Sequence, residues 1–490
     1  MKIPGNLSPF SWENRNGYNM QFNKADLEAV FGDESSGETP EERARTSLRI
    51  FVRSQAQVAF DNESAKGRRL SSIEALNAFG WGIISNLAYR TATPIICLEG
   101  EPGNTIKKRR ESLGLSIENL AKAAELSPEI LQHLENSTTR VPIRKIENVA
   151  RLLALDETHL SIHSGANGDH GLGVRLREMI GPTSQDATHF SPSMVLGLSE
   201  AAWVIKKQTE LQNTAVSYRK LGYVPDHNYD YPAWRSGMRL AAQTREKLGF
   251  AIGDPIRGLK DLVEKQLGVP VIQAELNPRF AGATIANGNA RGIVLNLRGF
   301  NENVWVRRNT LAHELCHLLY DPGQRLAKLL VDEFETIETD PFNLSKVRDV
   351  VEIRANAFAA EFLAPQEAVK DVFMGYASHG EGLAAVMEMY GISFSSAKWQ
   401  VANALRISPS NIDASGVNIS PSAEWAAGEN FTADYFPIEA APICRRGRFA
   451  YELVKAVDNG LITSDTAAAS LGCDGNEFLA KKQMIRSIFE

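Results

Sequence analysis

The run from Leu311 to Tyr320, LAHELCHLLY, constrains this chain more than any other stretch, because it sets two histidines four residues apart around a glutamate. On a helix, residues four apart lie on the same face, so the imidazoles of His313 and His317 point into one site with a spacing suited to tetrahedral zinc. Glu314 projects beside this pair, where a carboxylate can act as general base toward a water molecule. The pattern predicts a hydrolytic Zn²⁺ site. The alternative is a buried helix that merely carries two histidines.

A third ligand is expected from a second helix, predicted over residues 345–363, on which Glu352 and Asn356 share a face. A carboxylate at Glu352 would complete a His, His, Glu set and leave one coordination position open. Asn356 could accept a hydrogen bond from a ligand imidazole. The alternative for Glu352 is a solvated charge on a helix surface. Nearby acids compete for the role of third ligand, and these are Glu333, Glu335, Glu338, Asp349 and Glu361.

Length and composition set broad limits on the protein. With 490 residues, the chain is too long for one ordinary core and is expected to form two to four domains. Its formal net charge of −6 argues against general coating of nucleic acid, although a local basic patch remains open. No signal peptide, membrane-spanning run, disulfide framework or ATP-binding P-loop is recognisable, so we expect a cytoplasmic protein that does not contact membranes.

The regions around the histidine motif are less informative. Residues 1–100 are predicted to be a helical region of unknown role, with helical patterns over 41–60 and 71–89. Residues 161–230 are predicted to be a linker and helical connector, with helical segments at Val174 to Met179 and Ser199 to Leu211.

Residues 101–160 contain a block of five predicted short helical pieces with regular caps. Ser116 and Ser127 each precede a helix as N-caps, and this layout is typical of a helix-turn-helix. The second helix of such a pair can enter the major groove of DNA. The candidate phosphate contacts are Lys107, Lys108, Arg109 and Arg110, and the candidate base contacts are Gln132 and His133.

The run IKKRRESLGLSIENLAKAAELSPEILQHLENS, followed by IRKIENVARLLAL, resembles the XRE or Cro type of repressor domain. Family members usually have glycine at the tight turn where Glu125 stands here, and Glu129 puts an acid near the start of the presumed recognition helix. Residues 105–156 carry nine basic against seven acidic side chains, a weak excess for a DNA clamp. Binding of double-stranded DNA and docking of a protein on the same fold therefore both remain open.

The catalytic region is predicted over 231–410. It begins with helices over 234–248 and 256–267, and strands follow over 269–274, 282–286 and 291–297. The last two strands are joined by Asn287-Gly288-Asn289-Ala290, a hairpin signal. This is the plan of a minimal, gluzincin-like zincin, followed by a C-terminal helical extension over 411–490. The predicted fold class is α+β, mostly helical and multidomain: an XRE-like five-helix module plus a peptidase domain with a small β-sheet.

The runs GVPVIQAELNPRFAGATIANGNARGIVLN, RRNTLAHELCHLLYDP and EIRANAFAAEFLAP together resemble ImmA/IrrE-type zinc metallopeptidases. The resemblance implies His313, His317 and Glu352 as zinc ligands and Glu314 as the base. It also implies an endopeptidase that cleaves a specific repressor or antitoxin. The competing possibility is a DNA-binding regulator or antitoxin of a toxin–antitoxin or phage-defence locus, in which the zincin domain senses or binds a partner with little proteolysis. A homodimer is left open.

Overall fold

The structure is a computed structural model. It describes residues 22–62, 64–95, 99–137, 140–160, 172–178, 191–212, 232–278, 280–321, 344–429 and 435–489, with backbone only for 172–178 and 344–350. Among the described residues, no helix combines the length and the apolar character needed to cross a bilayer.

An N-terminal unit pairs a small sheet with short helices. Its four strands lie in the order β3-β1-β2-β4, and every neighbouring pair is antiparallel. The helices are α1 (Lys24–Phe31), α2 (Pro40–Thr46), α3 (Ser72–Phe79) and α4 (Trp81–Ile84), and the strands are β1 (Ile50–Arg53), β2 (Gln57–Phe60), β3 (Arg68–Ser71) and β4 (Ala92–Pro94).

The prediction of a helix over 41–60 is wrong beyond residue 46, because β1 and β2 form a hairpin there. β-branched and aromatic residues dominate β1, and they favour strands once a partner is present. The backbone N–H of Ser54 donates to the carbonyl of Gln57 at 2.8 Å and closes the turn. Phe51 and Val58 are fully buried beneath the helices, so burial on one face of the sheet overrides the helical spacing of the sequence.

The helix-turn-helix block contains four helices in the described residues: α5 (Gly103–Ser112), α6 (Ile117–Ala123), α7 (Pro128–Glu135) and α8 (Ile143–Leu152). The described part of this block thus contains one helix fewer than the five that the sequence predicted. Ser116 and Ser127 cap α6 and α7 through their side chains, as predicted. Glu125, at the turn between these helices, has a φ of 55°, so the left-handed conformation expected of this position is present without a glycine.

A second sheet has the strand order β5-β7-β8-β6. It consists of β5 (Leu172–Glu178), β6 (Val271–Ala274), β7 (Phe280–Asn287) and β8 (Ala290–Asn296). β7 and β8 form the predicted hairpin, with Gly288 at a φ of 59° in its turn. The prediction of a helical segment from Val174 to Met179 is wrong over residues 174–178, because these residues belong to β5, antiparallel to β7. Met179 lies outside the described residues. The alternation of Leu172, Val174 and Leu176 with glycine and arginine has the period of a strand.

This second sheet lies between two long helices. α9 (Pro192–Gln212) covers one face, where Ala283, Ile285 and Val294 join its core. α12 (Val304–Tyr320) covers the other face and packs with Ile293 and Leu295. The remaining helices of the region are α10 (Ala233–Lys247), α11 (Leu259–Asp261), α13 (Leu344–Leu363), α14 (Gln366–Met374), α15 (His379–Tyr390), α16 (Phe394–Leu405) and α17 (Ala423–Gly428).

The C-terminal unit consists of α18 (Arg448–Asp458), α19 (Ser464–Leu471) and α20 (Gly475–Phe489). Its apolar residues belong to the same core as α9, the helix-turn-helix block and one face of the second sheet. The rings of Trp203 and Phe449 meet edge to face at 5.7 Å in this core. The helix-turn-helix block is therefore packed into the body of the protein through α9 and is not an appended module.

Candidate metal centre and helix-turn-helix face

The histidine motif lies on the buried helix α12. Asn303 caps this helix by accepting hydrogen bonds from the backbone N–H groups of Trp305 and Val306. One helical turn separates His313 from His317, and their Nε2 atoms lie 3.0 Å apart. Both histidines are 1 % exposed, so these nitrogens converge in a site enclosed by protein.

Glu352 on α13 completes the cluster. One of its carboxylate oxygens lies 3.1 Å from His313 Nε2 and the other lies 3.6 Å from His317 Nε2. Among the competing acids, Glu361 instead accepts hydrogen bonds from Gln366 and Gln400. Glu333, Glu335, Glu338 and the side chain of Asp349 lie outside the described residues.

The donor spacing suits a tetrahedral ion. Zinc bonds of about 2.0–2.1 Å to nitrogen and oxygen set neighbouring ligand atoms roughly 3.3 Å apart in tetrahedral geometry. The 3.0 Å between the two imidazole nitrogens and the 3.1 Å from His313 Nε2 to one Glu352 oxygen lie close to that value. Two imidazole nitrogens and a carboxylate form a donor set typical of hydrolytic zinc sites.

The other ring nitrogens are fixed by hydrogen bonds. His313 Nδ1 lies 3.0 Å from Asn356 Oδ1, and His317 Nδ1 lies 3.0 Å from Asp321 Oδ2. With Nδ1–H donating in each ring, both Nε2 atoms present lone pairs to the same point. Two lone pairs at this distance repel one another, and a cation between them removes the repulsion.

Asp321 was not identified from the sequence. It follows His317 by four residues, so the spacing that pairs the two histidines could have found it. Arg354 on α13 forms an ion pair with the second oxygen of Asp321. Both partners are buried, so this pair fixes the carboxylate that orients the His317 ring.

Glu314 lies on the side of α12 that faces the sheet. The hydroxyl of Thr284 on β7 donates to Glu314 Oε2 at 2.7 Å, and both residues are fully buried. Gly282, two residues earlier on β7, allows this close packing: a Cβ there would lie 2.8 Å from Thr310 Cγ2 and 3.4 Å from Glu314 Cγ. No local pattern in the sequence pointed to Thr284, because its contact with Glu314 depends on the packing of β7 on α12.

The sequence also offers four unranked candidates for stabilising a reaction oxyanion, Tyr320, Tyr376, His379 and Tyr390. The Tyr320 hydroxyl lies 2.6 Å from the Thr244 hydroxyl, and burial raises the pKa of Tyr320. His379 Nδ1 accepts a hydrogen bond from the backbone N–H of Asp413 at 3.1 Å. Tyr390 is fully buried, whereas half of the Tyr376 side-chain surface is exposed.

The predicted DNA contacts on the helix-turn-helix divide into two groups. Lys107, Lys108, Gln132 and His133 are exposed, and Glu129 is exposed near the start of α7. Arg109 and Arg110 are buried, so their assignment as phosphate contacts is wrong.

The burial of Arg110 has a clear structural cause. Arg110 forms a two-pronged ion pair with Glu135 at 2.6 and 2.9 Å and donates to the Leu115 carbonyl at 2.8 Å. Ile106, Arg109, Arg110 and Leu113 recur at helical spacing, so the inner face of α5 includes the last two residues of the basic run.

Comparison with known families agrees with this geometry. Residues 103–161 match the family described as a helix-turn-helix domain, and residues 301–399 match the IrrE N-terminal-like domain, a peptidase family. The chain joins a helix-turn-helix domain to an IrrE N-terminal-like domain. No curated protein matches it.

The IrrE N-terminal-like domain, as matched, includes the three candidate metal ligands together with Glu314, Asp321 and Asn356. It begins after the sheet, so Thr284 and Gly282 lie outside the matched residues although they contact Thr310 or Glu314. The helix-turn-helix match covers both the exposed lysines and the buried Arg110–Glu135 pair.

Proposed function

We propose that this protein is a zinc-dependent endopeptidase that cleaves a specific regulatory protein of the repressor or antitoxin kind, and that its helix-turn-helix domain docks on DNA or on that protein. The observation that carries the proposal is the position of Glu314. This residue directly follows His313 on α12, its carboxylate is fully buried, and the Thr284 hydroxyl donates a hydrogen bond to it. A purely structural zinc site does not require a general base.

The residues of the site have separate roles in the proposed hydrolysis. His313, His317 and Glu352 would hold the zinc ion, which when bound supplies a Lewis acid and lowers the pKa of a water molecule. Glu314 accepts a proton from the attacking water and delivers it to the nitrogen of the leaving amine. Asn356 and Asp321 keep the two imidazoles in the orientation that presents Nε2.

The test is replacement of the base. Glu314→Gln keeps the size of the side chain and can still accept the Thr284 hydrogen bond, but it cannot take up the proton. We expect unchanged zinc content and folding, and a loss of cleavage of about 100- to 10,000-fold. The wild type and the variant are each co-expressed with the product of the adjacent gene, and fragments are detected by blotting. Glu246→Gln, at an exposed position on α10, is the matched control.

A second function is favoured by the exposure of Gln132 and His133 on α7, together with that of Lys107 and Lys108. In that case the chain is a DNA-binding regulator whose zinc domain binds a partner and cuts little. If the adjacent gene product stays whole with the wild type and with Glu314→Gln, yet both forms repress it or neutralise it, the peptidase proposal fails and the regulator takes its place.

A further inference from the structure

The outer edge of β7 lies beside the proposed base and is occupied by a strand from a distant part of the chain. β7 contributes Thr284, whose hydroxyl contacts Glu314, and Gly282, whose missing side chain leaves room for Thr310 and Glu314. β8 pairs with one edge of β7, and β5 pairs with the other. β5 arises from the connection between α8 and α9, outside the catalytic region predicted from the sequence.

The register places β5 directly alongside the base. Arg175 is the backbone partner of Thr284, and Arg177 is the partner of Gly282. The seven residues of β5 thus lie antiparallel to the part of β7 that touches Glu314. A segment bound in this position covers the backbone N–H and C=O groups that a free edge would present to an extended peptide.

We propose that the outer edge of β7 is the docking site for an extended peptide segment of the partner protein, and that residues 172–178 occupy it in cis as a displaceable strand. This inference rests on the proposed function, because the peptide that replaces β5 would be the substrate segment presented to Glu314. The chain thereby restricts its own site until β5 leaves.

The composition of β5 is compatible with release. Its sequence, LGVRLRE, contains a glycine and three charged residues, which favour strands less than β-branched or aromatic residues do. Its pairing with β7 is irregular at Arg177 and Glu178, where the register shifts. A weak strand can nevertheless hold the edge, because its covalent tether gives it an effective concentration of about millimolar order.

Proline substitutions in β5 test whether this strand can be released from β7 while the rest of the protein stays folded. Along an antiparallel strand, successive backbone N–H groups point alternately toward the partner strand and away from it. Val174→Pro and Arg175→Pro therefore form a matched pair: one removes a hydrogen bond to β7, and the other removes an N–H on the outer side of β5, where proline is tolerated. Both variants are made in full-length protein that carries Glu314→Gln, so that binding is measured without hydrolysis.

The probe is a fluorescein-labelled peptide with the sequence LGVRLRE, and its binding is followed by fluorescence anisotropy. We expect weak binding to the parent protein and binding at least about tenfold tighter to one of the two proline variants, with zinc content equal in all three. If both variants keep their zinc and neither binds the peptide more tightly than the parent, the proposal is overturned. Absence of proteolysis in the earlier experiment does not alter this result, so the two proposals fail separately.

Hydrogen exchange on the unmodified chain provides a test that needs no variant. If β5 detaches while the body stays folded, the β7 amides that face β5 exchange faster than those that face β8. Equal protection on the two sides of β7, at the level of global unfolding, would show that β5 is a permanent strand and would reject the proposal even if the proline variants do not fold.

Discussion

At the scale of single residues, the candidate metal site depends on side chains that contact the proposed ligands and the proposed base. Asp321 orients His317, and Thr284 orients Glu314. Thr284 lies on β7, and Asp321 is paired with Arg354 of α13, so the geometry of the site depends on how α12 packs against both the sheet and α13.

Replacement of Asp321 tests this dependence. Asp321→Asn keeps the shape of the side chain but removes the charge that pairs with Arg354 and strengthens the His317 hydrogen bond. We expect zinc affinity to fall by about 10- to 100-fold, the usual cost of losing such an outer partner. Competition with a chromophoric chelator measures the affinity, and Asp371→Asn at an exposed site on α14 is the control. Equal affinities for the two variants would rule out an orienting role for Asp321.

At the scale of elements, α5 shows that a basic run need not be a basic surface. Its four consecutive cations divide between an exposed pair, Lys107 and Lys108, and a buried pair, Arg109 and Arg110. The helix turns by about 100° per residue, so neighbouring side chains in such a run cannot all face the same partner. Only the exposed lysines remain candidates for contact with DNA phosphates.

If these two lysines contact DNA phosphates, replacing either one should change how DNA binding depends on salt concentration. Lys107→Ala and Lys108→Ala should each weaken binding to the gene's own upstream DNA and reduce the slope of log affinity against log salt by about 1. Gel shifts at several salt concentrations measure this slope, with Lys370→Ala on α14 as a control cation outside the helix-turn-helix. Absence of any shift at low salt would instead favour use of this domain for protein docking.

At the scale of the whole molecule, buried charges connect parts of the chain that are distant in sequence. Arg53 on β1 donates to the carbonyl oxygens of Glu157, Thr158 and Leu160, each at 2.9 Å. Arg68 on β3 pairs with Glu147 of α8 and donates to the Asp465 carbonyl at 2.7 Å. The N-terminal sheet therefore holds the helix-turn-helix and the C-terminal unit together.

Glu74 makes this assembly sensitive to pH. Its carboxylate accepts hydrogen bonds from the backbone N–H groups of Ser71 and Thr463, between α3 and the C-terminal unit. Burial raises the pKa of Glu74 from its ordinary value of 4.5 to about 7, although both hydrogen bonds lower it. The folded state therefore binds this proton more tightly than the unfolded chain does. The resulting stabilisation is complete below pH 4.5 and is lost as the pH rises to about 7.

Glu74→Gln should remove this pH dependence, because glutamine can accept the same two hydrogen bonds and carries no charge. The expected difference between wild type and variant is about 3 kcal/mol in the free energy of unfolding over this pH range. Calorimetric melting temperatures at pH 4.5, 6 and 7.5 measure it, with Glu367→Gln, at an exposed position on α14, for comparison. Parallel pH profiles for wild type and Glu74→Gln would contradict the assignment of this carboxyl.

The sequence by itself determined what depends on local spacing. The two histidines and Glu314 follow from the helical repeat, β7 and β8 follow from their composition and hairpin turn, and the caps of α6 and α7 follow from Ser116 and Ser127. It also narrowed the third ligand to a few acids, among which Glu352 is the one that meets the histidines in the described residues.

The tertiary structure decided what depends on partners far along the chain. Within residues 50–60, β1 and β2 form because they pair with each other and one face of their sheet is buried. Val174 lies in a strand because β5 pairs with the edge of β7. Arg110 turned out to be a core residue because Glu135 lies within the same interior. Burial and cross-strand pairing outweigh local propensity in each of these cases, because a buried charge or an unpaired backbone group costs more free energy than a change of local conformation.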